Sequence, residues 1–192
     1  KIASEIRAKI ARGEHVYNLT VGDFRPDLFP IPRPLLEGIV AALERGETNY
    51  PPSDGMPDLR KAVCELYAAR LGLEYAPANV VIAGGARPAI YAVYRTLLSP
   101  GETLLYPVPS WNNNHYAWLV GAERAEVAVG AESHFLPTAD DLRPHVAGAR
   151  VLLLNTPLNP AGTAYSEAEL ERIVALLLDE NGRREQHGDP PL

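Results

Sequence analysis

The sequence is poor in several things, and each shortage excludes something. It has one cysteine, Cys64, so no disulfide can form within the chain. A lone thiol fits a reducing compartment, and we expect a cytoplasmic protein. No apolar run reaches the roughly 20 residues that cross a bilayer, so no membrane role is expected. Residues 1–13 carry charges throughout and lack the continuous apolar stretch of a signal peptide. Positive charge is in deficit: 18 Lys and Arg stand against 24 Asp and Glu, a net charge of −6. With no basic run, duplex nucleic acid is a poor partner for such a surface, and no nucleic-acid partner is expected. Lysine is scarcest of the charged types, with Lys1, Lys9 and Lys61 alone, all in the first third. No metal site is expected. The only methionine is Met56, so residues before Lys1 are expected. The end, 182–192, is polar and reads as a loop before another strand.

Apolar residues make up 46% of the 192, enough to bury a sizeable core. Ile2, Ile6 and Ile10 predict a helix over 2–12, stopped at Gly13. Leu19 to Pro34 holds four prolines and is expected to be irregular. Leu35, Leu36, Ile39, Val40 and Leu43 form a second helical stripe. Leu59, Ala62, Val63, Leu66 and Leu71 form a third, closed by Gly72. The pattern then alternates. Strands are predicted at 80–83, 103–106, 126–129 and 150–155, with helices at 88–98, 112–120 and 140–146 between them. Ser166 and Glu169 make a capping box ahead of a last stripe through Leu170, Ile173, Val174 and Leu177. Such alternation means an α/β fold with a mostly parallel sheet and helices on both faces. Ligands of such sheets sit at the carboxyl ends of the strands, so chemistry is sought there.

After the first predicted strand comes Gly84-Gly85-Ala86-Arg87. Small residues admit a ligand close to the backbone, a helix start offers free N–H groups, and Arg87 adds a full charge. Together these suit a phosphate. The same four residues also suit a plain tight turn with a surface Arg. They match neither G-x-G-x-x-G nor a P-loop. After the second comes Trp111, then Asn112, Asn113, Asn114 and His115. A Trp there can lay its face on an aromatic ring, or simply fill core. The Asn run caps or lines something. After the fourth comes Asn159, followed by Pro160, which restricts its backbone. Its carboxamide can donate to a ligand oxygen, or the pair can be an ordinary Asn-Pro turn.

Taken in order, these segments resemble one family. Asn155-Thr156-Pro157-Leu158-Asn159-Pro160-Ala161-Gly162 resembles the N-P-x-N-P-T-G signature of class I/II, fold-type I aminotransferases. Tyr50 to Arg60 resembles their Y-x-x-x-x-G-x-x-x-L-R segment. Ser99-Pro100-Gly101-Glu102 resembles the P-G-D/E before the next strand, and Gly22 their substrate-facing glycine. The matches keep the family's order and span almost the whole chain. The resemblance implies pyridoxal 5′-phosphate as cofactor and transfer of an amino group between an amino acid and a 2-oxo acid. It implies that Gly85, Ala86 and Arg87 bind the phosphate, Trp111 stacks on the pyridine ring, and Asn159 bonds the ring's phenolic oxygen. Tyr50 would reach the phosphate of the second subunit of a homodimer, and Gly22 would lie near the substrate carboxylate.

Some residues depart from the pattern. Pro88 stands where many relatives have Gln, and Ala161 where Thr is usual. The family's cofactor-bearing lysine, its Asp and Tyr partners and its late Arg find no counterpart. No catalytic residue is therefore assigned, and the chain is expected to be an amino-terminal portion, with 1–47 as arm and small-domain segment and 48–192 as an incomplete cofactor domain. Other pyridoxal-phosphate chemistry on the same fold, such as a lyase or β-elimination step, stays open. So does a non-catalytic binding or dimerisation module.

Overall fold

The computed structural model describes residues 2–18 and 22–192. Residues 19–21, which open the predicted irregular segment and the context of Gly22, lie outside the described residues, as does Lys1. The chain divides into two compact units, Lys1–Ser53 and Asp54–Leu192.

The first unit holds α1 (Ile2–Ala11) and α2 (Arg33–Glu44), both within a few residues of the prediction. A proline in its first turn starts α2, where a missing N–H costs no hydrogen bond. Its apolar stripe of Leu35, Leu36, Ile39, Val40 and Leu43 remains exposed.

The second unit begins with a brace. Helix α3 (Pro57–Leu71) ends at Gly72, which takes the left-handed conformation that glycine adopts without strain. Arg60 on its first turn donates to the carbonyl of Pro77 from Nε at 2.9 Å and from Nη2 at 2.6 Å. Its third nitrogen binds Asp54. The carbonyl of Asp54 accepts from the N–H of Ile82 at 3.0 Å. Gly55 is buried between them at φ +101°. The Gly55-to-Arg60 motif is thus a clamp that positions the chain entering α4 (Ala86–Leu97).

The sheet has three strands: β1 (Thr103–Val108), β2 (Glu123–Ala128) and β3 (Val151–Leu152), in the order β2-β1-β3 and all parallel. Thr103 pairs with Glu123 on one side, and Leu104 with Val151 on the other. Period-2 alternation sorts β1 between two cores. Leu104 and Tyr106 pack with Tyr94 and Leu98 from α4 and its C-cap, and with Tyr116, Ala117 and Val120 of α5 (Asn113–Val120). Leu105 faces the other way, onto Leu142 and Val146 of α6 (Ala139–Val146) and Ile173 and Leu176 of α7 (Glu167–His187). Helices therefore cover both faces, as expected of a parallel sheet.

Three expectations fail. The capping box at Ser166 is half formed: Ser166 Oγ accepts from the N–H of Glu169, but the Glu169 carboxylate accepts from the N–H of Ala139 at 2.7 Å instead. Val80–Ala83 joins no ladder among the described residues, and Val81 is 72% exposed rather than buried. A strand exists only beside a partner, and none lies there; Val81, Ala83, Val93 and Leu97 instead line an open apolar cleft of about 420 Å³. The predicted loop after 182 is also helical, since α7 runs on to His187. Arg183 and Arg184 reach back to Glu180 at i+3 and i+4 and stabilise the extra turns.

The α7 end is tied to the body through a buried pair. Glu180 and Arg184 are 8% and 6% exposed. Arg184 Nε donates to Glu180 Oε1 at 2.7 Å, and Nη2 donates to the carbonyls of Val146 at 2.8 Å and Ala149 at 2.6 Å. The guanidinium thereby caps the carboxyl end of α6.

Candidate functional site

Because β1 and β3 are parallel neighbours, the segments that follow them leave the sheet at the same edge. Trp111 follows β1 and Asn159 follows β3. Helix α4 packs across β1 through Tyr94, which brings its amino end to that edge too.

Gly85 is the N-cap of α4, with φ +129° and ψ 168°, a conformation essentially restricted to glycine. No side chain caps this helix, and its first turn holds no acidic residue. The free N–H groups of Ala86 and Arg87 therefore face outward with the positive end of the helix dipole behind them. Pro88 has no N–H to offer, so the departure at this position narrows the donor set to its neighbours. The Arg87 guanidinium lies over the Trp111 ring, 4.6 Å from its centroid. Trp111 is 40% exposed, so part of its surface is open to solvent.

The asparagines after Trp111 divide their work. Asn112 is the N-cap of α5 with φ 62°, a left-handed conformation Asn tolerates. Asn113 is buried, and its Oδ1 accepts from the hydroxyl of Tyr94 at 3.1 Å. Burial raises the Tyr94 hydroxyl above its ordinary pKa, so it stays protonated and donating. This bond locks α4 to α5 and, through them, Arg87 to Trp111. His115 remains exposed.

Asn159 sits in a turn closed by the N–H of Gly162 on the carbonyl of Leu158, and of Leu158 on that of Thr163, both at 2.7 Å. Buried Leu158 anchors it. The N–H of Asn159 donates to Asn155 Oδ1 at 2.9 Å. Asn159 thus lies in a turn, and it is fastened by Asn155, a residue of the motif for which no separate role was expected. An Asn four residues upstream of another was the available signal.

The family described as aminotransferase class I and II matches residues 14–183. The chain belongs to this family. An aspartate aminotransferase from Bacillus sp. strain YM-2 is 26% identical over 182 residues, covering 94% of this chain and 46% of that relative. An aspartate/prephenate aminotransferase from Cereibacter sphaeroides is 31% identical over 179 residues, covering 92% and 44%. The crystal structure of the Thermotoga maritima aspartate aminotransferase superposes with a TM-score of 0.84 at 29% identity, over 94% of this chain and 48% of that one. The chain spans a little under half the length of these relatives.

Among the residues this class I/II aminotransferase chain was expected to use, the structure brings Arg87 and Trp111 into contact. It places Gly85 and Ala86 beside Arg87, and Asn159 in the turn seven residues beyond β3, the strand next to β1. Tyr50 and Gly22 belong to the unit Lys1–Ser53, where Tyr50 is fully exposed and the space around Gly22 is open. Lys61 lies on α3, ion-paired with Glu65 at 3.7 Å, and Lys9 lies on α1, 4.0 Å from Glu14. Among the described residues no cluster could hold a metal, and no helix is long and apolar enough to cross a membrane.

Proposed function

We propose that this chain forms the phosphate- and ring-binding part of a pyridoxal 5′-phosphate site in an aminotransferase that moves an amino group between an amino acid and a 2-oxo acid. The observation that carries this is the meeting of an uncapped helix start, a guanidinium and an exposed indole at one sheet edge. That cofactor has an anionic phosphate for the helix start and guanidinium and a flat ring for the indole, and the class I/II family depends on it.

When bound, the cofactor supplies the electron sink for chemistry at the amino-acid α-carbon. The chain's own residues hold and orient it. The N–H groups of Ala86 and Arg87 and the Arg87 guanidinium take the phosphate, with Gly85 clearing the approach. Trp111 offers its face to the ring, and Asn159 donates its carboxamide to the ring oxygen. Tyr50 serves the phosphate of a second copy in a homodimer, and Gly22 lines the substrate carboxylate. No catalytic residue is assigned to residues 1–192. The relatives are aspartate and aspartate/prephenate aminotransferases, which makes aspartate the first amino donor to try.

The test uses the full-length protein. It should retain pyridoxal phosphate through desalting, show a visible absorbance band, and convert aspartate and 2-oxoglutarate to oxaloacetate and glutamate. Sedimentation should show a dimer. No retained cofactor would remove the reading, and retention without amino transfer would shift it to other chemistry on the same site.

A further inference from the structure

Arg87 has more than one use in this site and a single side chain. In the structure the guanidinium is stacked on Trp111, 4.6 Å from the ring centroid. Arg87 is the second residue of α4, so the face it covers is the one turned toward the helix start. That is also the face a cofactor ring held by its phosphate at α4 would need. Two planar groups cannot occupy one face at once. No acidic residue in the first turn of α4 competes for the guanidinium. An exposed cation–π contact is weak. An anion at the helix start offers charge-assisted, bidentate hydrogen bonds, which are stronger.

We propose that Arg87 is a latch on Trp111: it covers the indole face until an anion at the amino end of α4 draws it away, so that phosphate binding opens the ring platform. This rests on the cofactor reading above and adds an order to it, anion before ring. Because binding free energies are linked, the coupling runs both ways, and a bound ring strengthens the hold on the anion.

The test separates the two ligand halves in the full-length protein. Inorganic phosphate supplies the anion without a ring. Pyridoxine supplies the ring with neither phosphate nor aldehyde, so it cannot bond a lysine. Ring binding is read as quenching of tryptophan fluorescence, and the part lost in Trp111→Phe is the part reported by Trp111. Saturating phosphate should tighten pyridoxine binding about twofold to fivefold, the range of an exposed cation–π contact. Arg87→Ala should bind pyridoxine without phosphate as tightly as the native protein does with it, and phosphate should add nothing. Arg87→Lys keeps the charge without the planar fork and should fall between the two, which preserves the test if the alanine variant misfolds by circular dichroism. If phosphate leaves pyridoxine binding unchanged or weakens it while Trp111 still reports the ring, the latch is wrong and the ring site stands. If pyridoxine quenching is absent, or identical in Trp111→Phe, the latch falls together with the assignment of Trp111 to the ring.

Discussion

The N–H of Asn159 and the Oδ1 of Asn155 lie 2.9 Å apart, so one asparagine holds the backbone from which the other presents its carboxamide. Asn155→Ala removes the fastening and leaves Asn159 chemically intact. One hydrogen bond contributes about 0.5–1.5 kcal/mol, so pyridoxal phosphate should bind about twofold to tenfold more weakly in the full-length variant. Asn155→Asp keeps the acceptor and should recover most of the loss. Equilibrium fluorescence titration of the cofactor decides it; equal affinity in the alanine and native proteins would show that the fastening is idle.

Three glycines of the second unit should respond differently to alanine. At Gly85 an added Cβ meets only Pro88 Cδ, at 3.9 Å, so the cost comes from φ +129° alone and should be about 1–3 kcal/mol. At Gly55 the φ of +101° is joined by overlap with Ile82 Cβ and Cγ1, both at 2.5 Å, so the loss should be larger. At Gly84 nothing lies within 4 Å and the backbone is ordinary, so the change should stay within about 0.5 kcal/mol. Urea unfolding of the three variants should rank them Gly55, Gly85, Gly84, from most to least destabilised.

Tyr94 and Asn113, 1% and 5% exposed, form the polar contact between α4 and α5. Tyr94→Phe leaves the Asn113 oxygen buried without its donor and should cost about 1–3 kcal/mol. Asn113→Ala strands the hydroxyl at a similar cost. The double variant strands neither group, so its loss should be smaller than the sum of the single losses. Strictly additive losses in thermal unfolding would show that the two side chains do not depend on each other.

The Glu180 carboxyl is held down to about 2 by hydrogen bonds from Arg183 first and Arg184 second, against 4.5 for a free group. A depressed carboxylate contributes stability that is complete above its unfolded pKa and lost as pH falls through its folded one. The melting temperature of the native protein should therefore exceed that of Glu180→Gln by a constant margin from about pH 7 to about pH 5. The margin should close as pH drops toward about 2. Glu180→Ala leaves the Arg184 guanidinium buried without its counter-charge and should cost on the order of 3 kcal/mol at neutral pH. A margin that is unchanged at low pH would show that the ion pair does not stabilise the fold.

Much of the fold was legible because its signals are local. The stripes of α1, α2, α3 and α7, the stop at Gly72 and the cap at Ser166 depend on residues within one or two turns of each other. Val80–Ala83 misled because a β-branched apolar run records a preference for pleated backbone, while a strand also needs a neighbour. The α7 end misled because Gly182 and a polar run suggest a loop, whereas the pairing of Glu180 with Arg183 and Arg184 carries the helix across them.

The site divides in the same way. Chemistry-bearing residue types after β1, after β3 and at the start of α4 could be read directly, since strand–helix alternation points to the carboxyl ends of the strands. Motif spacing also marked Gly55 and Arg60, but not their work as a clamp on Asp54 and Pro77. The contacts of Arg87 with Trp111, Tyr94 with Asn113 and Arg184 with the end of α6 belong to the tertiary structure alone. They join residues 19 to 38 positions apart, or the starts of separate elements. Sequence patterns encode which way a side chain faces along its own helix or strand. Which partner it meets is decided only when packed elements set the distance.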